Sequence, residues 1–511
     1  MFKRLLSVGG FTLLSRITGF IRDVTMAAIL GHGLLSDAFI VAFLLPNYFR
    51  SIFGEGTINP AFLPRYAALY VRGQRAEAAL FADRVFSWQM AAQFVLLILA
   101  LLFMPGIVHV LAPGFTDHPD QFALTVSLAR ITFPYLILTV VAIQLSAMLN
   151  AIEKFWAAAA WSNFQNLGMI ATLILWRWFP NAAYAAAWGV LAGGFAQLFF
   201  ILWAARQHGL SLRISWLRWT PEIREFFKAL GAVTIGAASV FVAPFIDTVI
   251  ASLLPTGSRT ALYYADRINQ LPLGVLGIAL GTVLLPEMSA RLAKNDRAGS
   301  DAAQNNAAAL SLLLTLPFAA VFLAVPDVIM RAIFAHGAFD KSAADLSGIA
   351  LAAYGVGLPA MALVRIVAST FYARHDTATP ARITVFAMLC NIALKVVLVW
   401  GFHLGIAGVA LGTAIGAWLN VAILTMLAHK RALLSIDGGF RAAVLPVLFA
   451  ALAAGAGAWG GAVLLRSLSS GRFHDELMLA GAIVLGVLAY GTVVFAFRRA
   501  LPLGRFSGAF T

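Results

Sequence analysis

The sequence predicts an all-α integral membrane protein of about fourteen transmembrane helices: two six-helix lobes related by an internal repeat, plus two extra C-terminal helices. Three observations predict it. Of 511 residues, 61% are hydrophobic and 11% charged, with mean hydropathy +0.87, well beyond the apolar share of a water-soluble domain. Apolar runs of about 20 residues, enough for a helix to cross some 30 Å of hydrocarbon, recur from end to end. Pro134 and Pro359, and likewise Asn166 and Asn391, stand 225 residues apart, the signature of a chain built from two similar halves.

The apolar segments are 5–30, 36–59, 85–111, 124–150, 158–178, 183–205, 229–254, 262–289, 306–325, 346–372, 383–402, 406–428, 441–465 and 476–497. The first follows Lys3 and Arg4 in the manner of a secretory signal. Arg16, Arg22 and Asp23 interrupt it, so it reads as an uncleaved span. In the second, Pro46 removes one backbone hydrogen bond and leaves Asn47 and Arg50 on one face beside an expected kink. Within the repeat, Phe20-Ile21 and Leu63-Pro64 resemble Phe245-Ile246 and Leu285-Pro286. Both copies begin on the same side, so the lobes, 1–205 and 229–428, are parallel. Between them, 206–228 mixes Arg213, Arg218 and Arg224 with Trp216, Leu217 and Trp219, which reads as a cytoplasmic linker at headgroup depth. Gly408, Gly412 and Gly416 recur every fourth residue and read as a close-packing stripe. Residues 429–511 hold the last two spans and a tail outside the repeat. The single cysteine, Cys390, lies inside an apolar segment and carries no disulfide, redox or metal argument.

A net charge of +14 is compatible with nucleic-acid binding, but the cations are dispersed among the connections between spans. With a cytoplasmic N-terminus, 23 of them fall inside and 6 outside. That positive-inside bias accounts for the surplus, supports an even number of spans with both termini inside, and leaves nucleic acid excluded as a partner.

Seven cations fall within the spans: Arg16, Arg22, Arg50, Arg130, Arg267, Arg365 and Lys395. Each costs about 2.5–3.5 kcal/mol at mid-bilayer, so such a set persists only against a cavity, a partner or a substrate. Four of them, Arg16, Arg22, Arg50 and Arg267, stand on segments that open the two repeats. Asp23, Asp37, Glu55, Asp247 and Asp266 offer them ion pairs, the structural alternative. Arginine keeps its charge permanently and presents a planar fork of donors, which suits a doubly anionic, phosphate-bearing headgroup. Arg16 and Arg22 are six residues apart, about 240° around a helix, so they share a face only if Gly19 loosens the geometry. The nine histidines are scattered, with no HExxH, nucleophile elbow or phosphate-binding glycine loop. No enzyme, cofactor or metal site is expected.

The stretch SRITGFIRD (15–23), SDAF (36–39), LPN (45–47), FR (49–50) and FGEG (53–56), with YYADRINQLPLGVLGIALGTVLLPEMS (263–289), resembles the MurJ/MviN family of lipid II flippases, part of the MOP exporter superfamily. The resemblance runs along essentially the whole chain. It implies two lobes around a V-shaped cavity, with the last two helices forming a groove for the lipid tail. It implies cavity charges at Arg16, Arg22, Asp37, Arg50 and Arg267, with Asn47, Glu55, Thr260, Asp266 and Gln270 beside them. Gln270 stands where an acidic residue can occur in relatives and Leu44 where a basic one can, so the resemblance implies that neither charge is essential to a shared mechanism. The implied activity is alternating-access transfer of lipid II, the undecaprenyl-diphosphate-linked disaccharide-pentapeptide, across the bacterial inner membrane. The chain is expected to act as a monomer among membrane lipids, with the cell-wall synthesis machinery as its possible protein partner. Other undecaprenyl-diphosphate glycans, such as O-antigen or exopolysaccharide units, are the alternative cargo. A polytopic glycosyltransferase is the rival of another class, and it would need catalytic carboxylates on a substantial outer loop.

Overall fold

The computed structural model describes residues 2–51, 58–468, 471 and 473–501, with backbone alone for 2–8, 58–60, 232–241 and 275–283. It is 85% helical, with no strand among the described residues. By internal contacts the chain forms two compact units, Met1–Arg259 with His336–Phe339, and Thr260–Ala335 with Asp340–Thr511.

The first unit holds α1 (Phe2–Leu30), α2 (Leu34–Arg50), α3 (Ile58–Val71), α4 (Arg75–Leu111), α5 (Pro119–Thr132), α6 (Tyr135–Ala151), α7 (Phe155–Ile174), α8 (Ala182–Gln207) and α9 (Pro221–Ser252). The second holds α10 (Ser258–Ala293), whose first two residues count with the first unit, and α11 (Arg297–Ala324), α12 (Pro326–Phe334), α13 (Lys341–Tyr372), α14 (Ala378–Val396), α15 (Gly405–Lys430), α16 (Gly438–Leu468) and α17 (His474–Ala496). A helix stands at each of the predicted segments. Among the described residues, nine spans are long and apolar enough to cross a membrane: α4, α5 with α6, α8, α11, α13, α14 with the π turn after it, α15, α16 and α17. The short helices α3 and α12 occupy stretches that hydropathy alone assigns wholly or partly to connections.

The repeat is visible in the helix order. α1 corresponds to α9, α2 and α3 to α10, α4 to α11 and α12, α5 and α6 to α13, α7 to α14, and α8 to α15. The starting residues of these pairs are offset by 219 to 224. The matched prolines act differently in the two copies. Pro134 separates α5 from α6, whereas Pro359 lies within the continuous α13.

In lipid, helices gain little by hiding apolar surface from each other, so close backbone approach is what holds them together. The predicted glycine stripe does this. A Cβ at Gly408 would lie 3.0 Å from the Val399 backbone, one at Gly412 would lie 2.4 Å from Lys395 Cγ, and one at Gly416 would lie 2.7 Å from Asn391 Cβ. α15 is thereby pressed against α14 and its terminal π turn, and Lys395 is buried to 1% exposure. α16 and α17 use the same device, since a Cβ at Gly461 would fall 2.2 Å from Gly481 O.

Candidate functional site

The polar content of α1 forms a seam with α7. Ser15 and Ser162 hydroxyls lie 2.9 Å apart, and Thr18 Oγ1 donates to Asn163 Oδ1 at 3.2 Å. Asn166 Nδ2 donates to Ser15 O at 3.2 Å and Thr18 Oγ1 at 3.0 Å. Its Oδ1 therefore points the other way and accepts from Arg22 Nη1 at 3.0 Å. Arg22 Nε and Nη2 both donate to Asp23 Oδ1, at 3.1 and 2.7 Å. The two side chains are 11% and 6% exposed, so this is a nearly buried ion pair braced by an amide. Such a pair is hard to break from one side, because the group left behind is poorly solvated. α1 runs unbroken through Gly19, which does not bring Arg16 round to the face of Arg22. Arg16 is exposed and Arg22 is largely buried.

On α2 the missing N–H of Pro46 would leave Ala42 O without its helical partner. The Thr132 hydroxyl of α5 donates to that oxygen at 3.1 Å, and Asn47 Nδ2 donates to the next carbonyl, Phe43 O, at 3.0 Å. The helix thus carries its proline with the freed carbonyl satisfied, as membrane depth requires. Asn47 and the half-buried Arg50 stand three residues apart below it. Asp37, 2% exposed, opens the same helix, and its Oδ2 accepts from the backbone N–H of Gly257 at 2.6 Å. Glu55 lies outside the described residues.

In the second unit, α10 places Thr260 fully buried, Asp266 and Arg267 half-buried, and Gln270 exposed. Arg267 Nη2 donates to Tyr263 Oη at 3.0 Å, with its guanidinium carbon 4.7 Å from that ring's centroid. The aromatic face orients the cation without neutralising it. Gln270 Nε2 donates to Asp266 Oδ2 at 2.5 Å. The Gln270 amide thus holds the carboxylate one turn back on the same helix.

The structure joins Arg22 to Asp23 and Asp266 to Gln270. It also supplies partners outside the predicted set. Asn166 stood out in the sequence only as a repeat marker; with Asn163 one turn before it in an apolar helix, it had a readable polar face. Thr132, Gly257 and Tyr263 gave no such signal. The linker has no regular secondary structure over 210–220, and its last residues, from Pro221, open α9. It straps along α4, with Arg213 N donating to Asp83 Oδ1 at 2.8 Å, Ser215 N to Ser87 Oγ at 2.7 Å, and Trp88 Nε1 to Arg218 O at 3.3 Å. Ile214 and Trp216 project at 85% and 86% exposure. An apolar cavity of about 370 Å³ lies within the second unit, walled by Leu313 and Phe318 of α11, Ala454 of α16, and Ile483 and Tyr490 of α17.

A helical membrane chain with an internal repeat and charged helices at the head of each copy is the architecture of a transporter, and the solved structures it resembles are transporters. It matches an inward-facing multidrug resistance MATE family transporter of the MOP superfamily with TM-score 0.67, at 15% identity over 84% of this chain and 98% of that one. It matches a lipid II flippase MurJ in an inward closed conformation with TM-score 0.77, at 23% identity over 96% and 99%. At those identities the likeness is one of fold. The family model described as lipid II flippase MurJ matches residues 26–478. Probable lipid II flippases MurJ of Rhizobium tropici and Rickettsia prowazekii are 38% and 32% identical, covering 84% and 86% of this chain and 81% and 86% of their own. That of Vibrio cholerae is 30% identical over 96% and 95%. The chain belongs to the lipid II flippase MurJ family.

Proposed function

We propose that this chain carries lipid II from the inner to the outer leaflet of the bacterial inner membrane by alternating access. The observation that supports it most is that relatives bearing that function in their names cover four-fifths or more of both chains. In this reading the fourteen helical segments all span, both termini are cytoplasmic, and the lobes are 1–205 and 229–428. The linker 206–228 rests at the cytoplasmic interface, where the exposed Ile214 and Trp216 meet headgroups. Arg16, Arg22, Arg50 and Arg267 receive the diphosphate and the sugar-peptide head. Asp37, Asn47, Glu55, Thr260, Asp266 and Gln270 set their orientation or bind the head directly.

Arg267 suits such a role because Tyr263 holds it without cancelling its charge. Arg22 suits it differently. Its fork is shared between a carboxylate and a neutral amide, so it is oriented before any ligand arrives. The apolar cavity beside α16 and α17 fits the isoprenoid tail, which needs no polar partner. No covalent step is involved, and the chain acts as a monomer. Depletion of the protein in cells tests the reading: lipid II should accumulate in the inner leaflet. Accumulation of another undecaprenyl-diphosphate glycan would overturn it in favour of that cargo.

A further inference from the structure

In the second unit α11 and α13 pack antiparallel. Near one end of the pair a Cβ at Gly355 would lie 3.0 Å from Phe322 Cβ. Near the other, Thr370 Oγ1 donates to Gln304 Oε1 at 2.6 Å. One turn further toward that end, the register sets Ser300, in the first turn of α11, beside Arg374, just past α13. Ala373 shares one apolar cluster with Met288 of α10 and Ala307 of α11, so the three helix ends are closed together. Ser300 is fully buried, and its Oγ has no hydrogen-bond partner. Arg374 is half-buried and spends one donor on its own helix, Nη1 to Thr370 O at 2.8 Å. Burial holds its pKa below the ordinary arginine value, with Asp301 pulling it up and the exposed Arg297 pulling it down.

The carboxylates of this region are drawn elsewhere. Asp301 Oδ2 accepts from Ser435 N at 3.2 Å and from Ser435 Oγ at 2.7 Å. Asp376 accepts from Thr379 N at 2.9 Å and from Arg431 Nη1 at 3.3 Å. Asp296 caps α11 through Gly299 N at 2.8 Å and faces Arg291, which Glu287 also holds. Among the described residues neither Arg297 nor Arg374 has a carboxylate within ion-pair distance. Two neighbouring like charges, one of them half out of water, carry a cost that an anion between them relieves. We propose that Arg297, Ser300 and Arg374 form a phosphate-binding site, for a phosphate group carried by an anionic lipid or free in solution. The Nε and Nη2 edge of Arg374 donates to no protein acceptor among the described residues, and that planar fork matches two phosphate oxygens. Ser300 adds a neutral donor from the buried side. The site is separate from Arg267, which stands about seven turns before the end of α10. In the orientation proposed above it faces the cytoplasm at the end of its spans, the level at which lipid phosphates lie.

Binding to the purified full-length protein tests this without reference to flipping, so its failure leaves the transport reading untouched. Short-chain phosphatidylglycerol and inorganic phosphate are titrated separately by calorimetry into the wild type and into Arg297→Gln with Arg374→Gln. At least one probe should bind the double variant about tenfold more weakly, the loss of one charge-assisted contact. A loss with phosphatidylglycerol alone assigns a lipid headgroup, and a loss with phosphate alone assigns a soluble ligand. A loss with both identifies the shared phosphate as the recognised group. If the double variant does not fold, Arg297→Gln alone, at an exposed position, provides the comparison. Arg382→Gln with Lys430→Gln removes the same charge from exposed positions elsewhere in the unit and should keep wild-type affinity. An equal loss there would overturn the proposal by reducing the effect to net charge. So would wild-type affinity of Arg297→Gln with Arg374→Gln for both probes.

Discussion

Replacing Arg22 by alanine should stop transport and also destabilise the protein, because the side chain is built into the α1–α7 seam. It donates three hydrogen bonds, one to Asn166 Oδ1 and two to Asp23 Oδ1, the shortest at 2.7 Å. At that separation and an effective dielectric constant of about 20, the gross attraction to Asp23 is about 6 kcal/mol. Desolvation of both groups offsets much of it. Breaking a buried pair from one side nevertheless costs about 3–5 kcal/mol, since the remaining carboxylate stays out of water. Arg22→Ala should therefore lower the thermal midpoint clearly, whereas Arg22→Ala with Asp23→Ala should recover most of the lost stability while transport stays lost. The assay is thermal unfolding of the purified variants beside headgroup accessibility in proteoliposomes. An unchanged midpoint for Arg22→Ala would refute the seam. Transport returning together with stability in the double variant would refute the substrate role and leave Arg22 purely structural.

Thr132→Val should cost about 1–3 kcal/mol by leaving Ala42 O unpaired, and Pro46→Ala, which restores the helical N–H, should remove that cost in the double variant. Denaturation of the four proteins in the cycle decides it, and additive effects would contradict the repair. Gly412→Val forces a side chain against Lys395, and an overpacking cost of about 1–3 kcal/mol is expected; a melting curve matching the wild type would show that α14 and α15 can separate freely. Moving an anionic headgroup outward across an inside-negative membrane gains about 2.3 kcal/mol per charge per 100 mV. Depolarisation at constant pH gradient should therefore slow flipping. Collapse of the pH gradient alone stopping it would favour proton coupling instead.

Much of this architecture is legible in the sequence because lipid imposes strong rules. Length and hydropathy place a helix at each of the fourteen segments, and the 225-residue offset of Pro134 from Pro359 and of Asn166 from Asn391 pairs α5 and α6 with α13 and α7 with α14. Gly408, Gly412 and Gly416 announce a helix contact because close backbone approach demands small residues. The short helices α3 and α12 are less legible, being too brief for a hydropathy window to separate from loops. The site was readable as a list of charges but not as a set of pairs. Periodicity puts Arg22 and Asp23 on one helix, yet nothing in the spacing reveals that Asn166, 144 residues away, holds the guanidinium. The Gly257 amide that meets Asp37 is equally invisible, because a backbone donor leaves no mark in composition. Pro46 signals a lost hydrogen bond, but its repair by Thr132 depends on tertiary packing.

The central claim, that this chain itself moves lipid II, is tested most directly by reconstituting the purified protein in vesicles carrying lipid II in the inner leaflet and an inside-negative potential. The rate at which headgroups become accessible outside is then measured for the wild type and for Arg267→Ala. The wild type should expose lipid II many times faster than empty vesicles, and Arg267→Ala should fall to the empty-vesicle rate while inserting to the same level. Wild-type vesicles that expose lipid II no faster than protein-free ones would contradict the account.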